Sequence, residues 1–222
     1  MNNLQIINAQ IEQSTNGLPT GFVYLYDLIP TIVQDIAYAT SNNFMGRPIK
    51  GYKKAVAIIT FEAAIALRNV QLELKKSDLG LKVFDAYRPQ MAVDDFWNWA
   101  SDSQDIKMKS EYYPDFDNKL DLFNGYLARL SSHSRGSAVD LTVIDLQNKQ
   151  ELDMGSRFDF LGEISNTDHP SISNTAKRNR QRLKSIMEKH GFKNYDKEWW
   201  HYNLINEPFT KTSEDHFNFV VR

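Results

Sequence analysis

The residues able to do chemistry gather in two short stretches. The first runs Ser131, Ser132, His133, Ser134, Arg135, Gly136, Ser137, Ala138, Val139, Asp140. A histidine and an aspartate seven positions apart, with a glycine turn between them, can bring an imidazole and a carboxylate to one metal if the histidine lies on a loop that enters a strand. Taken alone, the pair also fits a surface histidine and an aspartate that caps a turn. The second stretch is Glu198-Trp199-Trp200-His201-Tyr202. On a strand, Trp200 and Tyr202 share one face and His201 points to the other. Glu198 has the wrong parity to join His201 on an ideal strand, so it must sit on the preceding turn or beside a bulge. An aromatic hairpin with a cross-strand charge is the plain alternative.

Together the stretches supply two imidazoles and one carboxylate, the three-ligand set that leaves zinc a fourth position for water. With Glu198 nearby to take a proton and pass it to a leaving amine, this is a hydrolytic arrangement. Attack on an amide carbonyl builds negative charge on oxygen, which zinc and a fixed cation stabilise. Arg88, pinned by Pro89 at a strand end, is a candidate for that cation; a surface arginine is the alternative.

Composition narrows the chemistry from the other side. The chain has no cysteine, which removes disulfides, thiolate nucleophiles and cysteine-based zinc sites, so a metal site must use some of the five histidines. With 26 Lys and Arg against 28 Asp and Glu, the net charge of −2 provides no basic field for nucleic acid or an anionic membrane. No stretch approaches the roughly 18 apolar residues of a membrane span. The opening MNNLQIINAQ has neither a basic residue nor an apolar run of signal-peptide kind, so the chain as written is expected to be soluble and cytoplasmic, and periplasmic if a leader preceded it. The 222 residues, 41% hydrophobic, read as one domain spanning 1–222, since prolines and glycines are scattered and no repeat is present. The pattern carries no signal for oligomeric state.

The elements that must position these residues can be read from periodicity. Val56, Ile59, Ala63, Leu67, Val70 and Leu74 form the stripe of a helix running from Val56 to about Lys76, with Gly80 at its exit. Leu81–Asp85 reads as a strand that stops near Arg88-Pro89. Residues 91–99 read as helical, 103–120 as loop, and 120–130 as a short helix. In 137–143 the apolar Val139, Leu141 and Val143 share one strand face, which turns Asp140 to the other. A helix capped by Ser173 or Asn174 ends at Gly191, and the charges of AKRNRQRLK are placed on its solvated side. Phe192–Tyr195 and Trp199–Ile205 then form a hairpin. The remaining histidines, His169, His190 and His216, read as loop or helix-end residues, and Trp97, Trp99, Tyr112 and Tyr113 as core. Helices amid short antiparallel strands give the class α+β, a single domain with a central, mainly antiparallel sheet flanked by helices.

The strings DAYRP, SSHSRGSAVDLT, MGSRFDF and EWWHY, in that order, resemble the zinc D-alanyl-D-alanine dipeptidases of vancomycin resistance. NNFMGRPIKGY at 42–52 and the ending NEPF extend the similarity from about residue 20 to the C-terminus. The resemblance implies the α+β fold shared by zinc D,D-peptidases and the hedgehog signalling domain, and one Zn²⁺ per chain. It implies His133, Asp140 and His201 as zinc ligands, Glu198 as general base and acid, and Arg88 on the carbonyl oxygen. It also places the substrate amine near Ser131 and Asp159, two residues on which spacing is silent. The expected reaction is hydrolysis of free D-Ala-D-Ala to two D-alanines by a metal-bound water, with the small dipeptide as the partner. Two alternatives share the same residues: a D,D-carboxypeptidase acting on muropeptides and a non-catalytic zinc-binding domain. A hairpin protein without metal is a third.

Overall fold

The computed structural model describes residues 17–209 and 212–222; residues 1–16, counted above in the single domain, lie outside the described residues. A five-stranded sheet organises them, in the order β2-β4-β5-β7-β6. Its strands are β2 (Val33–Gln34), β4 (Leu79–Asp85), β5 (Ala138–Asp145), β6 (Phe192–Tyr195) and β7 (Glu198–Leu204). All neighbours run antiparallel except the short β2, which lies parallel to β4. A separate ribbon pairs β1 (Phe22–Tyr24) with β3 (Ile58–Thr60). The helices are α1 (Leu25–Leu28), α2 (Phe61–Leu74), α3 (Gln90–Ser101), α4 (Lys109–Tyr112) and α5 (Asn174–Lys189). One hydrophobic core joins the sheet, the ribbon and the helices, so the α+β architecture read from the sequence is the observed one. No helix among the described residues is long and apolar enough to cross a membrane.

Several expected boundaries move, each for a tertiary reason. The helix expected from Val56 starts at Phe61, because the β-branched Ile58, Ile59 and Thr60 form β3 against a partner some 36 residues earlier in the chain. Its exit is made by Asp78, the residue that adopts a left-handed φ of 55°. Gly80 instead lies inside β4, where a Cβ would come within 2.7 Å of Leu146. The expected helix over 120–130 is only a 3₁₀ turn, Lys119–Asn124, followed by an irregular loop. Within the expected loop of 103–120 sits the single-turn α4. Helix α5 behaves as read: the Ser173 side chain accepts from the Ala176 amide at its start, and Gly191 follows its end at φ +88°. The exception is Arg180, which is fully buried rather than solvated.

Strand β5 is covered on both faces, with Ala138 to Ile144 all buried. Asp140 therefore turns away from Val139, Leu141 and Val143 as expected, but into a second interior rather than toward water. What it meets there is set by register: Asp85 on β4 and His201 on β7 are its direct cross-strand partners.

Candidate metal centre and its cleft

His133 sits in a 3₁₀ turn, Ser132–Arg135, that feeds directly into β5. Ser131 caps that turn, its Oγ accepting from the His133 amide at 3.3 Å. Gly136 ends it at φ +79°, and a Cβ there would collide with the Phe22 ring, so only glycine lets the chain turn from the histidine into the strand. The His133 ring is oriented by its Nδ1, which lies 2.6 Å from the Ala86 carbonyl oxygen and donates to it. That bond leaves Nε2 as a bare acceptor. Such a backbone partner is what holds the tautomer of a metal-ligating histidine.

Nε2 faces two other ligand atoms. It is 3.1 Å from His201 Nδ1 and 3.3 Å from Asp140 Oδ1, while His201 Nδ1 is 3.0 Å from Asp140 Oδ1. Three acceptor-type atoms aimed at one point, on buried side chains, make a donor set suited to zinc. His201 Nε2, on the far side of its ring, contacts the Asn203 side chain at 2.9 Å and Ser132 Oγ at 3.5 Å. Burial holds the His201 pKa below the ordinary imidazole value, keeping the neutral form that ligates. Burial alone would raise Asp140, but His133 and then His201 outweigh it and keep the carboxylate ionised well below its usual range.

The parity problem of Glu198 is solved by a bulge. Asn194 on β6 pairs with Tyr202, yet the next residue, Tyr195, pairs with Glu198, so residues 199–201 of β7 lack strand partners on β6. The Asn194 side chain replaces the missing ladder bonds, its Nδ2 donating to the Glu198 and His201 carbonyls at 3.1 and 3.0 Å. Glu198 and His201 thereby face the same cleft, with Glu198 Oε2 3.9 Å from His201 Nδ1. Burial first, and then the fields of Asp140 and Asp159, push the Glu198 carboxyl well above the usual range. A carboxyl so placed holds a proton readily, the property required of a group that accepts and then returns one.

Arg88 is buried and held on both sides. Its Nε donates to Asp85 Oδ2 at 2.9 Å and its Nη2 to Asp140 Oδ2 at 3.2 Å, while its guanidinium lies over the Tyr38 ring, 4.9 Å from the centroid. Asp85 is itself fixed by the Tyr52 hydroxyl at 2.6 Å. Asp159 stands at the apex of an irregular segment with a left-handed φ of 60°, a strained state for a residue with a side chain. Its Oδ1 accepts from the Tyr38 hydroxyl at 3.2 Å, and its buried Oδ2 has no hydrogen-bond partner among the described residues. Burial, then repulsion from Asp140, pushes its carboxyl well above the usual range.

All seven residues singled out from the sequence, Arg88, Ser131, His133, Asp140, Asp159, Glu198 and His201, line one cleft of about 410 Å³. Residues missed by sequence reasoning are those that hold them: Asp85, Tyr38, Asn194 and Asn203. Asp85 carries a signal in hindsight, three residues before Arg88 in DAYRP; Tyr38 carries none. The loop of 123–130 closes one side of the cleft, tied by the Tyr195 hydroxyl to the Gly125 carbonyl at 2.8 Å. His169, His190 and His216 stay outside, as do Trp97, Trp99, Tyr112 and Tyr113.

Residues 19–222 match the family model described as D-ala-D-ala dipeptidase, Peptidase_M15. The chain is 41% identical over 204 residues to a D-alanyl-D-alanine dipeptidase of Enterococcus faecalis, covering 92% of this chain and 100% of that one. It is 36% identical over 201 residues to a D-alanyl-D-alanine dipeptidase of Streptomyces coelicolor, covering 90% and 98%. Among solved structures, the LdcB LD-carboxypeptidase is similar at a TM-score of 0.44 and 19% identity, over 86% of this chain and 70% of that chain.

Proposed function

Because this chain belongs to the D-ala-D-ala dipeptidase family, we propose that it hydrolyses free D-Ala-D-Ala to two D-alanines, with one zinc held by His133, Asp140 and His201. The observation that carries this reading is the meeting of three ligand atoms within 3.3 Å of one another beside the buried Glu198. Zinc held there would supply Lewis-acid polarisation of the carbonyl and lower the pKa of a water at the open position. The chain's own residues do the rest. Glu198 takes a proton from the attacking water and gives it to the amine of the departing D-alanine as the peptide bond breaks. Arg88, buried in the cleft wall and held by Asp85 and Asp140, holds the carbonyl oxygen as negative charge develops. Ser131 and Asp159 bind the substrate ammonium, and the unpartnered Asp159 Oδ2 supports that assignment.

This pairing also sets a length limit. A longer peptide presents an amide where the dipeptide presents an ammonium, and so leaves Asp159 buried without its cation. The preference for D-residues rests on the relatives alone.

The test is zinc content by elemental analysis, paired with D-alanine release from the dipeptide and from a pentapeptide with the same end. One zinc per chain and release from the dipeptide only is the expected result. Equal rates on both substrates would replace the assignment by a D,D-carboxypeptidase acting on muropeptides, and zinc without turnover by a binding domain. Glu198→Ala is expected to keep the metal and lose on the order of 100- to 10,000-fold in rate, whereas His133→Ala loses both.

A further inference from the structure

We propose that Arg180, which makes no hydrogen bond to His133, Asp140 or His201 among the described residues, is a positioning residue for substrate selectivity, because it fixes the segment that carries Asp159. The proposal rests on the reading of Asp159 as the partner of the substrate ammonium.

Arg180 lies on the inward stripe of α5 with Ala176, Leu183 and Met187, where an apolar side chain would be ordinary. It is fully buried, and no hydrogen bond to a carboxylate offsets its charge among the described residues. All of its hydrogen bonds go instead to the segment 154–166. Nε donates to the Met154 carbonyl at 2.6 Å and Nη1 to the Asn166 carbonyl at 2.6 Å. Nη2 reaches the Ile164 carbonyl at 3.0 Å and Ser156 Oγ at 3.3 Å. One planar fork thus ties the beginning of the segment to its end, a geometry that neither lysine nor an apolar residue reproduces.

The tie is relayed toward Asp159. Ser156 Oγ lies 3.2 Å from Ser165 Oγ, and the Ser165 hydroxyl donates to the carbonyl of Phe160, the residue after Asp159, at 2.6 Å. Asp159 itself has one side-chain hydrogen bond, from Tyr38, so its carboxylate is placed mainly by its backbone. That backbone is held at φ +60°, a conformation that persists only where surrounding structure enforces it. Arg180 touches none of His133, Asp140 and His201, which the sheet positions separately. Its removal should therefore loosen the ammonium site and spare the metal centre.

The test uses the full chain carrying Arg180→Gln, Arg180→Lys or Ser165→Ala. The readouts are zinc content, kcat and KM on D-Ala-D-Ala, the ratio of kcat/KM for D-Ala-D-Ala to that for N-acetyl-D-Ala-D-Ala, and amide hydrogen exchange. For Arg180→Gln the expected result is retained zinc, kcat within about threefold, and KM raised by on the order of 10- to 100-fold, the scale of a displaced binding group. The preference for the free amine should fall by the same factor. Exchange should quicken in 154–166 and not in β5 or β7. Arg180→Lys should recover part of the loss, and Ser165→Ala should shift KM and the ratio in the same direction by less.

Unchanged KM and ratio in a folded Arg180 variant would overturn the proposal, as would loss of zinc or a fall in kcat alone; the last would point to action on Glu198 through the neighbouring Trp199. Should Arg180→Gln fail to fold, Ser165→Ala decides, and an unaltered KM there overturns it. If the unmodified protein leaves the dipeptide intact, the proposed function fails, and hydrogen exchange alone still decides whether Arg180 holds the segment.

Discussion

Arg88 and Arg180 are both shielded from solvent, at 9% and 0% exposure, yet they are stabilised by opposite means. Arg88 lies between two carboxylates, Asp85 and Asp140, and against aromatic faces. Burial alone would lower its pKa, but Tyr38 first, and then Asp85 and Asp140, carry it well above the ordinary value. Arg180 is surrounded by carbonyl oxygens and a hydroxyl; burial draws its pKa down, and Asp153 and Asp168 offset only part of the effect. The difference separates two uses of a buried cation. In the cleft, the guanidinium belongs to a charge network that includes Asp140, one of the three proposed metal ligands, so its loss is expected to alter the electrostatics of the cleft. Behind the cleft, it serves as a hub of donors, so its loss alters the path of the chain.

Three measurements would break or sharpen that contrast. The largest expected effect is that of Arg88→Ala on catalysis, a fall in kcat/KM of about 100- to 1000-fold with zinc retained, as for the loss of one donor to a developing oxyanion. Arg88→Lys should recover little, because a single ammonium cannot bridge Asp85 and Asp140 while also reaching the cleft. Near-normal kinetics in the lysine variant would reduce the role of Arg88 to bare positive charge.

Beyond its expected effect on KM, Arg180→Gln should appear in stability. The Met154 and Ile164 carbonyls lose a donor, and the Asn166 carbonyl and Ser156 Oγ each lose one of two, which predicts a loss of about 2–4 kcal/mol by urea unfolding. A loss below roughly 0.5 kcal/mol, the ordinary range for surface changes, would mean that Arg180 is not a hub.

The smallest effect belongs to an exposed counterpart. Arg47 makes a two-pronged pair with Asp95 at 2.8 and 2.9 Å, but its side chain is 40% exposed, so the pair is worth no more than about 1 kcal/mol. Burial alone would raise the Asp95 pKa; the bonds from Arg47 and the Lys50 amide outweigh it and lower it. A lowered acid stabilises the fold above the unfolded carboxylate range, about pH 4, and ceases to do so as pH falls through its folded value. Asp95→Asn should therefore lower the melting temperature slightly at pH 7, and its deficit should close in more acidic medium. A deficit that persisted unchanged through acid would assign it to packing.

The proposed ligands were legible because their chemistry is carried by residue type: without cysteine, a zinc site has histidine and carboxylate to use, and His133, Asp140 and His201 stand in the two stretches that combine them. Helix α5, with a capping serine and a closing glycine, was legible because both signals are local. The misplaced start of α2 has the converse cause. Ile58 to Thr60 satisfy a helical stripe and a strand equally well, and β1 decides between them. Arg180 was misread because a charge-rich stretch resembles a solvated face, although its spacing from Ala176, Leu183 and Met187 already puts it on the buried one.

The sequence by itself thus determined the α+β class, the order of the principal elements and the donor atoms available to a metal, since propensity, capping and ligand chemistry depend on nearby residues. Tertiary structure alone decided that those atoms meet. The register of β5 against β4 and β7, the bulge held by Asn194 and the carbonyls gathered by Arg180 are hydrogen-bonded pairings between distant segments, and a one-residue slip in any of those strands would turn its side chains to the opposite face.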